Sequence, residues 1–306
     1  MKPVITTTQH FGITSDVPFI DVDVHGDIRL FVDAHAIRLA AEHGDGYAQS
    51  GITHIDSFFG FIVDAILIGN EDDRLKAKAL LSKFHEPRET RLGLSASGFS
   101  GNGGAEVVGT RIWDMLSTDV RALLEVGIGR HIEMMPIFVP GVANDITSDL
   151  TTRIVFSVLA EYTREQMENF PELAGARPIG AGSVHQVWSL SEANWVEQNE
   201  VLPVVDGHPL LLVPKDWASP NLLFNMSRYH QVSALGFVSD DRMTVIDGKV
   251  NRPRKKDLAR EPGLRPGHAT NRRVTLNAHY RGNNLETSFT EFVDNKYRLR
   301  IEATRQ

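Results

Sequence analysis

Acidic side chains gather at the predicted loops and strand ends of this 306-residue chain. They are Glu86, Glu89, Glu133, Asp145 and Asp149, and Lys215 closes the most apolar predicted strand. Carboxylates that hold a divalent cation, together with a lysine near the attacking water, suit the hydrolysis of a phosphodiester bond. The cation stabilises the charge of the transition state and lowers the pKa of the water. The pattern therefore predicts a hydrolase that uses Mg²⁺ or Mn²⁺.

Each of these residues receives a predicted role. The catalytic residues are Asp145, Lys215 and Glu133, and the metal ligands are Asp145, Asp149 and Glu86. An apolar stripe with helical spacing begins at Leu150 and predicts a helix that Ser148 or Asp149 caps and Pro171 ends. The helix dipole disfavours a cation on the axis. We therefore expect Asp145 to be the ligand and Asp149 to be the N-cap that orients the loop. An apolar strand over 131–139 precedes them.

A glycine-rich segment over 93–104 leads into a predicted helix over 105–126. Its backbone N–H groups and the helix N-terminus can cradle an anion. Gly98, Gly101 and Gly103 are thus predicted to contact a phosphate or nucleotide, and a mobile loop or lid is the alternative. No Gly-Lys-Ser/Thr follows, so the segment is not a Walker A loop. It is also not a nucleophile elbow, because Ser97 stands where that motif needs glycine.

Basic residues concentrate near the carboxyl-terminal end, although the net charge of the chain is −7. Eight Lys or Arg side chains lie between Arg252 and Arg273, against Asp257 and Glu261. Neutralisation of phosphates by such residues releases counterions and gives salt-dependent binding. We predict that this segment binds nucleic acid, with Lys255 and Lys256 as substrate-binding residues. A solvated linker is the alternative, and a protein partner is also possible.

Composition places the chain among ordinary globular proteins, with 42% hydrophobic and 23% charged residues. It has no cysteine, which excludes disulfides, zinc-thiolate sites and thiol catalysis. There is no apolar leader and no uninterrupted apolar run of 18 residues. We therefore expect a cytoplasmic protein that does not contact a membrane.

The alternation of apolar strand-like runs with amphipathic helices predicts an α/β fold, a mixed sheet with helices packed on it. The core domain is predicted over 1–215. A helix, the basic arm and a small strand pair follow over 216–306. Two hairpins are predicted, one over 18–33 and one over 202–215, the second turning at Asp206-Gly207.

Three blocks carry a resemblance to a family of uncharacterised bacterial proteins. They are Phe19-Ile-Asp-Val-Asp23 with Leu30-Phe-Val-Asp33, Glu86-Pro-Arg-Glu89 with Leu92-Gly-Leu-Ser95, and Asp145-Ile-Thr-Ser-Asp149-Leu-Thr-Thr152. The resemblance spans roughly residues 18–215. It implies one long amino-terminal unit and no particular activity.

These observations favour a metal-dependent phosphodiesterase or nuclease that acts on nucleic acid, with a role in bacterial defence. Restriction-type nucleases resemble it in placing carboxylates and a lysine on a mixed sheet. However, Val213-Pro-Lys215 lacks the acid two residues before the lysine. The alternative is a non-enzymatic adaptor that uses the glycine-rich segment and the basic arm. A nucleotide-handling enzyme is a third possibility.

Overall fold

The computed structural model describes residues 4–93, 102–174 and 182–304. The α-helices are α1 (Thr7–Phe11), α2 (Ala34–Glu42), α3 (Gly46–Leu67), α4 (Glu71–Ser82), α5 (Asn102–Ser117), α6 (Arg121–Glu125), α7 (Met135–Phe138), α8 (Asn144–Ile154), α9 (Phe156–Asn169), α10 (Met226–Tyr229), α11 (Leu235–Asp241), α12 (Lys255–Leu258), α13 (His268–Tyr280) and α14 (Leu285–Thr304). The strands are β1 (Phe31–Val32), β2 (Ser183–Ser189), β3 (Asn194–Glu200), β4 (Val204–Val205), β5 (His208–Pro209), β6 (Ala218–Ser219), β7 (Thr244–Ile246) and β8 (Lys249–Asn251). The 3₁₀ turns are Arg88–Thr90, Ile132–Met134, Pro171–Ala174 and Lys215–Trp217, and a π-helix covers His230–Ala234.

The chain divides into two compact units, each made of two separate segments. The first unit combines Met1–Trp113 with Asn144–Leu222, and the second combines Asp114–Ala143 with Leu223–Gln306. The sequence instead predicts one domain over 1–215 and an extension over 216–306. The units therefore differ from that division chiefly in the segment 114–143, which belongs to the second unit.

The core of the first unit is built on α3. Asp45 caps its N-terminus, because the carboxylate accepts the N–H of Ala48 at 3.0 Å. Ile55, Phe58 and Ile62 are completely buried on one face. By length and composition alone α3 is also long and apolar enough to cross a membrane, as the core helix of a globular protein can be.

The central helix predicted to end at Pro171 is two helices, α8 and α9. They are separated at Val155, whose ψ of 11° departs from helical geometry. The first helix begins at Asn144, so the prediction that Ser148 or Asp149 is an N-cap is wrong. Ser148 lies in the second turn, where its hydroxyl accepts the N–H of Val32 at 2.8 Å. This bond fixes α8 against β1.

All sheets among the described residues are two-stranded and antiparallel, pairing β1 with β6, β2 with β3, β4 with β5 and β7 with β8. The prediction that the fold combines helices with strands is therefore confirmed in this coarse form. The described residues are mainly helical, and they form small strand pairs rather than one mixed sheet.

The two predicted hairpins have different outcomes. The turn at Asp206-Gly207 is confirmed, since both residues have positive φ, 50° and 84°, between β4 and β5. The hairpin over 18–33 is wrong. Its backbone pairs with other segments, since Val24 N–H donates to Ile5 O at 3.0 Å and Ile20 N–H to Val213 O at 2.9 Å.

The second unit is mainly helical in its described residues, and Phe138, Tyr229 and Phe289 form an aromatic core in which Tyr229 contacts each of the other two rings edge to face. The predicted strand over 131–139 is instead a 3₁₀ turn followed by α7. The predicted terminal strand pair is also wrong, because α13 and α14 occupy that region. Their apolar residues recur at helical spacing, and Val274, Ala278, Phe289 and Val293 are buried.

The basic segment over 252–273 is not an unstructured linker. It contains α12 and the start of α13, and Leu258 and Leu264 are 2% and 5% exposed. Lys255 donates from Nζ to the carbonyls of Gln231 and Val232 at 3.0 and 3.2 Å. The segment has few apolar residues, but it is anchored because Leu258 and Leu264 are buried in the core.

Candidate functional site

The first unit places four carboxylates near one another. Asp145 and Asp149 lie one turn apart on α8, Glu86 follows α4, and Asp27 precedes β1. Burial raises the pKa of Asp149 well above its usual range, and the charges of Asp145, Glu86 and Asp27 raise it further, whereas Arg153 opposes the shift. We call these four residues the acidic cluster. The three predicted metal ligands thus come together, and Asp27 joins them.

Backbone pairing explains why Asp27 reaches this place. Ile28 N–H donates to Arg91 O at 2.9 Å, and Gly93 N–H donates back to Ile28 O at 3.0 Å. A Cβ added at Gly93 would lie 3.4 Å from Oδ1 of Asp145, and its φ of 132° favours glycine. The start of the glycine-rich segment therefore lies against the acidic cluster. Gly98 and Gly101 are outside the described residues, and Gly103 is in the first turn of α5.

Asp145, Glu86 and Asp27 each lie within electrostatic reach of Asp149, and the four carboxylates do not form a ready coordination shell. Among the residues that the structure describes, no group of three or more His, Asp or Glu side chains has the spacing of a metal site. The available donors are all oxygen atoms, which suit hard cations such as Mg²⁺ and Mn²⁺. Asp145 also occupies the first turn of α8, where the helix dipole favours a carboxylate.

A buried arginine borders the acidic cluster. Arg153 is 2% exposed. Its guanidinium donates to the carbonyls of His85, Glu86 and Gln186 at 2.7, 3.0 and 3.2 Å, and to the Glu89 carboxylate at 3.3 Å. It also lies over the ring of Phe156, 4.6 Å from the centroid. Arg153 therefore joins α8, β2 and the segment after α4 into one frame.

Glu89 continues this network in the opposite direction. Its Oε1 lies 2.9 Å from Nδ1 of His185, whose Nε2 lies 2.6 Å from the hydroxyl of Ser183. Burial opposes ionisation of Glu89, yet the hydrogen bond with His185 and the charge of Arg153 hold its pKa below the usual range. Glu89 is thus a carboxylate, only 15% exposed, that remains charged.

Of the remaining predicted site residues, Lys215 belongs to the first unit, and Glu133, Lys255 and Lys256 belong to the second. Lys215 pairs with Asp16 at 2.9 Å at the surface of the first unit. Glu133 belongs to the second unit, where burial and the charge of Glu133 raise the pKa of Glu286. Lys255 and Lys256 are on α12, also in the second unit.

The sequence patterns did not indicate that Asp27 and Arg153 lie in or beside the acidic cluster. They also did not indicate that His185 and Ser183 are connected to Glu89. A signal did exist for the last two, since positions 183 and 185 of one strand face the same side. Asp27 and Arg153 carried no such signal. Their positions depend on the pairing of Ile28 with Arg91 and on backbone carbonyls remote in sequence.

Comparison with known proteins identifies a family for this chain. A family model described as a domain of unknown function, DUF8370, matches residues 12–225, more than two thirds of the chain. This match confirms the resemblance to an uncharacterised family. No curated protein and no solved structure matches the chain. The acidic cluster and the Ser183–His185–Glu89 network both lie within the matched residues, whereas Lys255 and Lys256 lie outside them.

Proposed function

As this chain belongs to the DUF8370 family, whose domain has no assigned activity, we propose from its side chains that it hydrolyses phosphodiester bonds with a divalent cation, Mg²⁺ or Mn²⁺. The cation would be held by Asp145, Asp149, Glu86 and Asp27. The observation that carries the proposal is the position of Asp149 one turn after Asp145 on α8, where burial and the charges of Asp145, Glu86 and Asp27 raise its pKa.

The cost of gathering these charges supports a cation. Carboxylates that lie close together repel one another, and each resists ionisation more strongly as its neighbours ionise. A divalent cation removes that repulsion and competes with the proton for Asp149. Binding of the cation would therefore release protons and weaken as the pH falls.

The chain's own residues would position the cation and its water. When bound, the cation supplies charge stabilisation for the phosphoryl oxygens and a water of lowered pKa. Asp145 and Asp149 share a rigid helix, which fixes their separation. Arg153 anchors that helix to the segment that carries Glu86, through the carbonyl of Glu86 itself. The proposal gives no role to Lys215 or Glu133.

Nucleic acid is the proposed substrate, and the basic residues of the second unit support it. Arg254, Lys256, Arg260 and Arg265 are exposed, so their charges are available to a polyanion. The same surface supports the alternative of an adaptor that binds nucleic acid without cleaving it. That alternative needs no cation in the acidic cluster.

Thermal unfolding and cleavage assays test the proposal together. The wild-type chain and the variants Asp149→Asn, Asp145→Asn, Glu86→Gln and Asp27→Asn are unfolded in Mg²⁺, Mn²⁺ or EDTA. They are also incubated with single- and double-stranded DNA and with RNA. We expect the metals to raise the wild-type midpoint, because a ligand of the folded state stabilises it, and expect cleavage only with metal.

The control is Glu197→Gln, which removes an exposed carboxylate on β3 of the same unit. It should keep both the metal-induced shift and the cleavage, whereas Asp149→Asn and Asp145→Asn should lose both. A wild-type midpoint that neither metal moves would overturn the proposal. Salt-dependent nucleic-acid binding in that case would favour the adaptor.

A further inference from the structure

A second arrangement in the first unit has the connectivity of a nucleophile, a base and an orienting acid. The hydroxyl of Ser183 lies 2.6 Å from Nε2 of His185, and Nδ1 of the same ring lies 2.9 Å from Oε1 of Glu89. Ionised Glu89 can only accept a hydrogen bond, so Nδ1 must carry the proton. Nε2 of the neutral ring is then free to accept the proton of the Ser183 hydroxyl.

The surroundings hold this geometry in place. The ring of His185 stacks on Phe156 with centroids 4.9 Å apart, and its exposure is 7%. Arg153 fixes Glu89 from the other side through the ion pair at 3.3 Å. Ser183 starts β2 and is only half-buried. The base is therefore enclosed, while Ser183 and Glu89 are each partly exposed.

A second carboxylate faces the same histidine. Glu200 pairs with Ser183 across the β2–β3 hairpin, and its charge interacts with His185. Its other contacts are Gln198 at 2.8 Å and Arg164 at 3.6 Å. An imidazolium formed at His185 would thus be stabilised by both Glu89 and Glu200.

We propose that Ser183, His185 and Glu89 form a separate catalytic site in which Ser183 is acylated by uncharged carboxylic esters. In a serine hydrolase, the serine, histidine and acid are identified by their hydrogen bonds and roles and not by their order in the chain. Ser183, His185 and Glu89 are hydrogen-bonded in that way.

The reaction balances with water as the only co-reactant. Ser183 Oγ bonds to the ester carbonyl carbon while Nε2 of His185 takes its proton. The bond from that carbon to the alcohol oxygen then breaks, and His185 returns the proton to the leaving alcohol. In the second half, water attacks the acyl carbon and gives a proton to Nε2. The bond to Oγ breaks, Ser183 regains the proton, and the carboxylic acid departs.

Charge argues for an uncharged acyl substrate at this site. Glu89 and Glu200 flank His185, and Arg153 and Arg164 are engaged with those two carboxylates. A phosphate ester would approach carboxylates whose nearest cations are already paired, whereas a neutral ester meets no such repulsion. The site is thus distinct in substrate from the acidic cluster, and it needs no metal.

The test is covalent labelling of the full chain by a fluorophosphonate in EDTA, with the modified residue located by peptide mass spectrometry. Hydrolysis of p-nitrophenyl butyrate is measured in the same buffer. We expect the label on Ser183. We also expect Ser183→Ala and His185→Asn each to reduce the rate of labelling and the rate of ester hydrolysis by at least about 100-fold, the range that a general base contributes. Ser189→Ala, on the same strand, is the matched control and should change neither rate.

Ser183→Cys supplies a second measurement. A thiol beside His185 should react with iodoacetamide at pH 6.5 about tenfold or more faster than the thiol of Ser189→Cys, because the imidazole favours the thiolate. Absence of label on wild-type Ser183, or equal alkylation of the two thiols, would overturn the proposal. Since EDTA is present throughout, these outcomes are independent of the proposed metal site.

Discussion

Arg153 and Glu89 form an ion pair at 3.3 Å in which the exposed fractions of the side chains are only 2% and 15%. The arginine also satisfies three main-chain carbonyls, and Glu89 in turn binds His185. This pair is the shared support of the two proposed sites. Arg153 belongs to α8, the helix that carries Asp145 and Asp149, and Glu89 orients His185, the proposed base for Ser183.

Replacement of Arg153 should therefore be severe. We expect Arg153→Ala to lower the free energy of unfolding by about 3–5 kcal/mol, because it leaves a buried carboxylate and three carbonyls without their partner. Arg153→Lys should recover only part of this loss, since an ammonium cannot reproduce the planar fork. Urea denaturation measures both.

Arg164 offers the matched control. It is 55% exposed and lies 3.6 Å from Glu200, so Arg164→Lys should cost no more than about 1 kcal/mol. An equal loss at the two positions would contradict the role assigned to Arg153.

Asp149 should make stability depend on pH with a definite sign. Its folded-state pKa is raised above the ordinary value of 3.8 by burial and by its acidic neighbours. The folded state thus holds the proton more tightly than the unfolded state. Its stabilising contribution is fully present below pH 3.8 and is lost as the pH rises through the folded-state pKa.

Asparagine cannot ionise, so the stability of Asp149→Asn should not fall in this way as the pH rises. In EDTA at pH 8 the variant should be more stable than wild type, by about 1.4 kcal/mol for each unit by which the pKa is raised. The two should converge near pH 4. Urea titrations between pH 4 and 8 measure the difference. A variant less stable than wild type at pH 8 would contradict the repulsion within the acidic cluster.

Alanine in place of a helical glycine usually stabilises a protein, but at Gly109 in α5 we expect it to destabilise. A Cβ at Gly109 would lie 1.9 Å from the carbonyl oxygen of Leu81, so α4 and α5 approach too closely for a side chain there. Gly109→Ala should destabilise the protein by at least about 1–3 kcal/mol. Gly60 in α3 has nothing within 4 Å, and Gly60→Ala should stabilise by about 0.5–1 kcal/mol. Thermal unfolding of the two variants distinguishes these signs.

Neighbouring lysines on α12 should behave differently. Lys255→Met removes the donor to the carbonyls of Gln231 and Val232, at a cost of about 1 kcal/mol. Lys256→Met changes an exposed side chain and should stay within about 0.5 kcal/mol. If the basic segment contacts phosphates, Lys256→Met should also remove about one phosphate contact. The slope of log affinity against log salt concentration for DNA binding would then become shallower by about 0.9. Urea denaturation and binding titrations at several salt concentrations check both expectations.

Local chemistry made part of the fold predictable. The turn at Asp206-Gly207 follows from residues that tolerate positive φ, and the apolar stripe that begins at Leu150 does lie in helices, α8 and α9. The hairpin over 18–33 failed because its alternating pattern specifies extended backbone without specifying a partner. That partner lies partly at residue 213, far along the chain.

The site was predictable to a similar degree. Carboxylate surplus at loops indicated Asp145, Asp149 and Glu86, which do come together. The position of Lys215 did not follow from the sequence, since nothing in an apolar run reveals which side chain its last residue meets. Lys215 instead meets Asp16, which is almost 200 residues away in the chain.

The division of each unit into two segments has a consequence for synthesis on the ribosome. When residue 143 emerges, the first unit still lacks α8, α9 and the β2–β3 hairpin, and the segment 114–143 still lacks every helix from α10 onward. Translation proceeds at about 5–20 residues per second. Apolar side chains of 114–143, such as Ile137 and Phe138, must therefore wait several seconds for their native neighbours. During this interval those apolar side chains are exposed on the nascent chain, which favours aggregation until α10 and the later helices are made.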